Sequence, residues 1–143
     1  MSASEHRLYH RLQLAAHRLQ KTADRDLLAA AGVTTAQAAV LGLVAARGPV
    51  SQNHIAAELG INESAMTAMV ARLRKLDLLD RTRAPQDARA WHLTVNPNGR
   101  AVLARVRPAF QAINARIDET LSAEQQAVLA DTLERLARRF GTD

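Results

Sequence analysis

Cysteine is missing from the 143 residues of this chain, so disulfides, thiol redox sensing and cysteine-ligated zinc are excluded. Aromatic residues are scarce as well: Tyr9, Trp91, Phe110 and Phe140 make up 3% of the chain, against 48% apolar residues overall. Alanine and leucine must supply most of the packing, which favours closely packed helices over a sheet-rich sandwich. No apolar run is long enough to span a bilayer, and no basic-then-apolar leader is present, so a cytoplasmic protein without membrane contact is expected. Catalytic signatures are absent too. There is no Gly-x-Ser-x-Gly elbow, no glycine-rich phosphate loop and no His-Glu-x-x-His pair, while Ser51 and Ser122 are better explained as helix caps. Neither an enzyme nor a cofactor is expected.

What is present is an uneven distribution of charge. Residues 47–107 hold ten Lys or Arg against five Asp or Glu, whereas the two flanks together hold nine of each. The whole formal excess of +5 therefore lies on the central segment, an asymmetry suited to attracting phosphates.

Along the chain, Leu8, Leu12, Ala15, Ala16 and Leu19 recur at helical spacing and predict a long amphipathic first helix. Gly32 interrupts the alanine run, and Thr34 with Gln37 forms a capping box for a second helix through about Ala46. Arg47-Gly48-Pro49 ends it, with Gly48 read as a C-terminal cap. Ser51 caps a short third helix with Ile55, Ala56 and Leu59 facing inward. Gly60 supplies the turn, and Asn62 caps a fourth helix whose buried side is Met66, Met69, Val70, Leu73 and Leu76. Its other side presents Glu63, Ser64, Thr67 and Ala68, small or polar groups able to approach a base edge.

After Leu78 and Leu79 the period shifts toward two. Arg81, Arg83, Pro85 and the loop Gln86-Asp87-Ala88-Arg89 lead into a strand from Ala90 to Val95, with Trp91, Leu93 and Val95 on one face. Asn96-Pro97 opens a fifth helix with the stripe Val102, Val106, Phe110, Ile113 and Ile117, which Pro108 should bend. Ser122 and Gln125 open a last helix with the stripe Leu129, Leu133, Leu136 and Phe140. The sum is a mainly α fold with a small β-hairpin: a winged helix-turn-helix, a combination that points to DNA. A winged-helix module that binds another protein is the alternative of a different class. The stripes of residues 5–30 and 98–140 are too long for the central sixty or so residues to cover, which predicts a homodimer with interlocked terminal helices.

This order of elements resembles the MarR family of bacterial winged helix-turn-helix repressors over nearly the whole chain, read as one domain (1–143) with a DNA-binding lobe at about 34–95 and dimerisation helices at about 5–30 and 98–140. The most specific likeness is Asp87-x-Arg89 followed by Leu93, Val95, Asn96 and Gly99. There Asn96 replaces the usual threonine, and Asp77 stands where the family usually has glycine, which predicts a less tight turn.

The resemblance implies double-stranded DNA with a palindromic operator as partner and repression as the default. It implies that Asn62, Glu63, Ser64, Thr67 and Ala68 lie nearest the bases, with Thr67 and Ser64 the better readers because Ala68 stands where arginine is common, and with a methyl contact to thymine open to Ala68 or Thr67. Ser51, Gln52 and Asn53 would meet a phosphate at a helix N-terminus, and Arg72 and Arg74 the backbone. In the wing, Arg89 is the candidate for the minor groove, Arg83 for a phosphate, and Asp87 for orienting Arg89 or Arg81. An inducer pocket for small aromatic acids is implied too, with Tyr9, His17, Arg18 and Trp91 as candidate contacts. His6 and His10, one helical turn apart near Glu5, offer a metal-responsive alternative, but no second ligand pair has matching spacing, so no metal is assigned.

Overall fold

The computed structural model describes residues 7–84 and 86–141, with the side chains of residues 87–89 outside that description. Its elements are α1 (Leu8–Ala31), α2 (Thr35–Arg47), β1 (Val50–Ser51), α3 (Gln52–Leu59), α4 (Glu63–Lys75), β2 (Leu79–Ala84), β3 (Asp87–Val95), α5 (Pro97–Thr120) and α6 (Ala123–Phe140). Among the described residues no single helix is long and apolar enough to cross a membrane. The chain divides into two compact units, Met1–Ala109 and Phe110–Asp143.

Local chemistry places most boundaries in the first unit. Gly32 takes the left-handed conformation at φ 73° and donates its N–H to the Leu28 carbonyl, which closes α1. Thr34 accepts from the Gln37 N–H while the Gln37 amide oxygen accepts from the Thr34 N–H, the reciprocal box that starts α2. Asp24 on α1 accepts from the Thr35 N–H at 2.7 Å, so the first turn of α2 is tied to its neighbour. Around these joints Leu27, Val33, Val40, Leu41, Val44, Ile55, Met66, Val70, Leu73, Leu79 and Leu93 form a fully buried core. Each contributes roughly 1.5–3 kcal/mol of hydrophobic stabilisation.

Some expectations hold and others need correction. The expected hairpin is formed by β2 and β3, and β1, which the sequence did not announce, pairs antiparallel with β3 to give a three-stranded sheet in the order β1-β3-β2. Gly48 is the C-terminal cap of α2 as expected, at φ −66° with its N–H donated to the Val44 carbonyl at 2.7 Å, and it is required because a Cβ there would stand 2.6 Å from that oxygen. Leu76 is 38% exposed and leaves the buried side of α4. The turn after α4 is tight despite Asp77, which sits at φ 57°. Its left-handed backbone is offset by side-chain bonds a glycine lacks: Asn96 Nδ2 donates to Oδ1 at 3.2 Å and Asn98 Nδ2 to Oδ2 at 2.9 Å, while Asn96 Nδ2 also donates to the Asp77 backbone carbonyl at 2.9 Å. Asn96 also caps α5 by accepting from the Gly99 N–H at 2.9 Å. Threonine can accept that bond but has no amide to give Asp77, so the two departures from the family pattern support each other.

In the second unit, Ser122 and Gln125 form the capping box of α6, and no residue of α6 is buried. The helix α5 holds Pro108, a residue of the first unit, in its interior.

Candidate nucleic-acid interface

The turn between α3 and α4 is set by Gly60 at φ 65° and by the Ile61 N–H, which donates to the Ala56 carbonyl at 2.9 Å. Ser51 accepts from the His54 N–H and Asn62 from the Ala65 N–H, so both helices start on side-chain caps. Burial of Met66, Val70 and Leu73 turns α4 so that Glu63, Ser64, Thr67, Ala68 and Ala71 face solvent. Asn62 is exposed as well, but its carbonyl oxygen is committed to the cap. One side-chain bond joins the two helices: Gln52 Nε2 donates to Thr67 Oγ1 at 3.0 Å. Thr67 Oγ1 in turn donates to the Glu63 carbonyl at 2.9 Å.

The wing stands beside this pair. Arg83 lies opposite Trp91 in the β2–β3 register and Arg81 opposite Leu93, so the two arginines share one face of β2. Their guanidinium carbons lie 3.9 Å and 4.0 Å from the centre of the indole ring, within cation–π range. Trp91 therefore holds two like charges close together. Burial, and then the charges of Arg74 and Arg83, lower the affinity of Arg81 for its proton, and its Nε is buried without a hydrogen-bond partner. A guanidinium remains protonated under any such shift, so the consequence is an under-neutralised cation. A cavity of about 270 Å³ opens beside it, lined by Ser51, Gln52, Asn53, Glu63, Thr67, Arg81, Ala90 and Trp91.

The start of α3, one face of α4 and the wing thus converge on one surface. Arg72 and Arg74 lie exposed along α4. The side chains of Asp87 and Arg89 lie outside the described residues, and so do Glu5 and His6. Of the residues considered for an effector, Tyr9, His17 and Arg18 are exposed on α1. Arg18 lines a shallow depression with Lys21, Thr22 and Arg25, whereas Trp91 lines the cavity by the wing. Among the described residues no group of three His, Cys, Asp or Glu side chains is placed to hold a metal ion.

Two features escape the one-dimensional reading. Arg81 received no contact of its own, although its i, i+2 spacing from Arg83 in a strand already put both on one face. Arg47, at the end of α2, pairs with Glu58 on α3, and His54 Nε2 lies 3.3 Å from the other Glu58 oxygen. The hydrogen bond from Arg47 keeps the Glu58 carboxyl below its ordinary 4.5, with the charges of Arg47 and His54 adding to it against a smaller effect of burial. Nothing in the local sequence links positions eleven residues apart.

A helix-turn-helix followed by a β2–β3 hairpin that forms a wing defines the winged helix-turn-helix class. The MarR family model matches residues 31–90. The chain is 31% identical to the HTH-type transcriptional repressor MdtR of Bacillus subtilis (strain 168), over 78% of this chain and 72% of that protein. It superposes on the transcriptional repressor CouR bound to a 23-mer DNA duplex with a TM-score of 0.84, at 30% identity over 96% of both chains. The ligand complex of PcaV from Streptomyces coelicolor gives a TM-score of 0.77 at 30% identity, over 92% of this chain and 89% of that one. The chain belongs to the MarR family of transcriptional regulators.

Proposed function

We propose that this protein is a non-enzymatic, homodimeric repressor in the cytoplasm that binds a palindromic operator and leaves it when a small aromatic acid or its thioester binds. The observation that carries this reading is the convergence of Ser51, Gln52, Asn53, Glu63 and Thr67 with Arg81 and Trp91 around one cavity. A polar helix face and a cationic β finger on one surface match a major groove and the phosphates beside it. Ser64, Thr67 and Ala68 lie nearest the bases in this reading, with Glu63 and Asn62 at the edge of the contact. Ser51, Gln52, Asn53, Arg72, Arg74 and Arg83 serve the backbone, and Asp87 and Arg89 shape and tip the wing. Arg81 joins the backbone set.

The exposed apolar side of α6, with Leu133 43% and Phe140 77% exposed, supports a second copy as its cover. Two copies would set their α4 helices to half-sites roughly 34–36 Å apart. The ligand class rests on CouR, which has been captured with p-coumaroyl-CoA, and on the PcaV complex with its natural ligand. Tyr9, His17, Arg18 and Trp91 remain its candidate contacts.

Selection of bound sites from random duplexes, with unrelated DNA as competitor, tests the first half of the reading. A palindromic consensus is expected, and recovery of only random sequence would refute it, because a protein of pI about 10.9 binds any duplex to some extent. Screening hydroxycinnamic and benzoic acids and their CoA thioesters for release of the selected site tests the second half.

A further inference from the structure

We infer that Thr67 reads DNA through its methyl group and not its hydroxyl, so that the base it faces is a thymine. The inference rests on the DNA-binding reading above and narrows it to one residue and one base. A threonine hydroxyl has a single proton and two acceptor positions. In Thr67 the proton goes to the Glu63 carbonyl, one turn back on α4, and one acceptor position is taken by the Gln52 amide from α3. The first bond is a common habit of helical threonines and by itself says little. The second is not local: it comes from fifteen residues away and holds the oxygen toward α3 and the helix backbone. Thr67 is nevertheless exposed, and beside the γ-methyl its side chain keeps one acceptor position, on an oxygen that those two bonds hold toward α3 and the helix backbone.

The surroundings agree. Ala68, the next residue, adds a second exposed methyl, and Ser64, three residues earlier on the same face, keeps a hydroxyl for polar contact. The face is therefore divided into an apolar part at Thr67 and Ala68 and a polar part at Ser64. Thr67 has no proton to offer, which rules out a donated bond to guanine O6 or N7 while the Glu63 bond lasts. In the major groove the apolar mark is the 5-methyl group of thymine.

The experiment uses the full-length protein and the best duplex selected from a random pool. Each thymine is replaced in turn by deoxyuridine, which removes only the methyl. Wild-type protein should lose about fourfold in affinity at one thymine per half-site, the worth of one buried methyl-sized group. Thr67→Ser, which keeps both hydroxyl bonds and lacks the methyl, should bind thymine and deoxyuridine equally at that position. Thr67→Val, which keeps the shape without the hydroxyl, should still discriminate between them. Thermal melting of both variants checks that they fold, as expected for an exposed position. The inference is overturned if no deoxyuridine substitution weakens binding, if Thr67→Ser discriminates as well as wild type, or if Thr67→Val alone loses the site. Failure to select any preferred duplex would instead remove the DNA-binding reading beneath it.

Discussion

The helices α4 and α6 both carry apolar stripes, yet they end differently. In α4 the stripe is consumed inside its own unit, where Met66, Val70 and Leu73 are buried and only small or polar groups remain outside. In α6 no residue is buried, and Val128, Leu129, Leu133 and Phe140 stay exposed. The N-terminal part of α1 behaves like α6, with Leu8, Tyr9, Leu12 and Leu19 exposed, while only Ala23, Leu27 and Ala31 near its end are buried. A hydrophobic period tells that a face must be covered but not by which chain. The central region completes its own core and leaves a polar surface outside, whereas the outer helices leave apolar faces uncovered, which the proposed function gives to a copy of the protein.

The sharpest way to break this contrast is to charge the α6 stripe. Leu133→Asp should convert the protein to a monomer in sedimentation velocity and weaken the selected operator roughly a hundredfold or more, because a lone carboxylate cannot be desolvated in an apolar interface. Nonspecific binding of the separate winged unit should largely survive. A variant that remained dimeric with intact affinity would show that α6 is not part of the interface.

The contrast also explains how far the sequence could be read. Caps are local, so Thr34 with Gln37, Ser51, Asn62 and Ser122 each announced a helix start that the structure contains. The outward face of α4 was legible for the same reason, since its period identifies the buried side and leaves the other by subtraction. Long-range features were not. The two residues of β1 become a strand only because Val50 and Ser51 meet Leu93 and His92 some forty residues later. Asp77 read as a defect in a turn until Asn96 and Asn98 supplied its bonds. Nor does any spacing show that the Thr67 hydroxyl is already occupied by Gln52 and Glu63.

A change inside the central unit should act on stability before binding. Gly99 begins α5 against β2 and β3: a Cβ there would overlap the Leu78 carbonyl oxygen and stand 2.6 Å from Val95 Cγ1. Neither a backbone oxygen nor a buried valine yields easily, so Gly99→Ala should cost about 1–3 kcal/mol in urea unfolding. Its conformational freedom is not the issue, because the conflict is steric. An unchanged midpoint would mean that α5 shifts along the sheet without penalty. Compared with Leu133→Asp, the variant should remain dimeric at temperatures where it is folded.

A smaller effect is expected where the central unit meets its ligand. Trp91→Leu removes the aromatic surface on which Arg81 and Arg83 rest, two contacts each worth about 0.5–1 kcal/mol at exposed sites. Affinity should fall several-fold for all duplexes alike, leaving their ranking intact, and Trp91→Phe should recover much of the loss. Arg81→Ala differs in kind: if Arg81 meets a phosphate as proposed, its loss should lower the slope of log affinity against log salt by about one. If Trp91→Leu changed the ranking of duplexes instead, the indole would be reading sequence and not supporting cations.

The smallest expected effect separates a surface contact from a core one. Glu58 is held in its charged form by Arg47, so its carboxyl in the folded protein titrates below 4.5, its ordinary value. Since the folded value is the lower one, unfolding takes up protons as the pH falls, and the stabilisation from Glu58 is present above 4.5 and disappears as the pH drops through the folded value. Glu58→Gln should therefore melt slightly below wild type at neutral pH, with the gap closing in acid and shrinking as salt screens the exposed pair. A gap that stayed constant down to the acid limit would assign the effect to packing of the side chain and not to its charge. The pair ties the end of α2 to α3, so losing it should leave dimerisation untouched. That independence is the expected mark of a region that closes on itself.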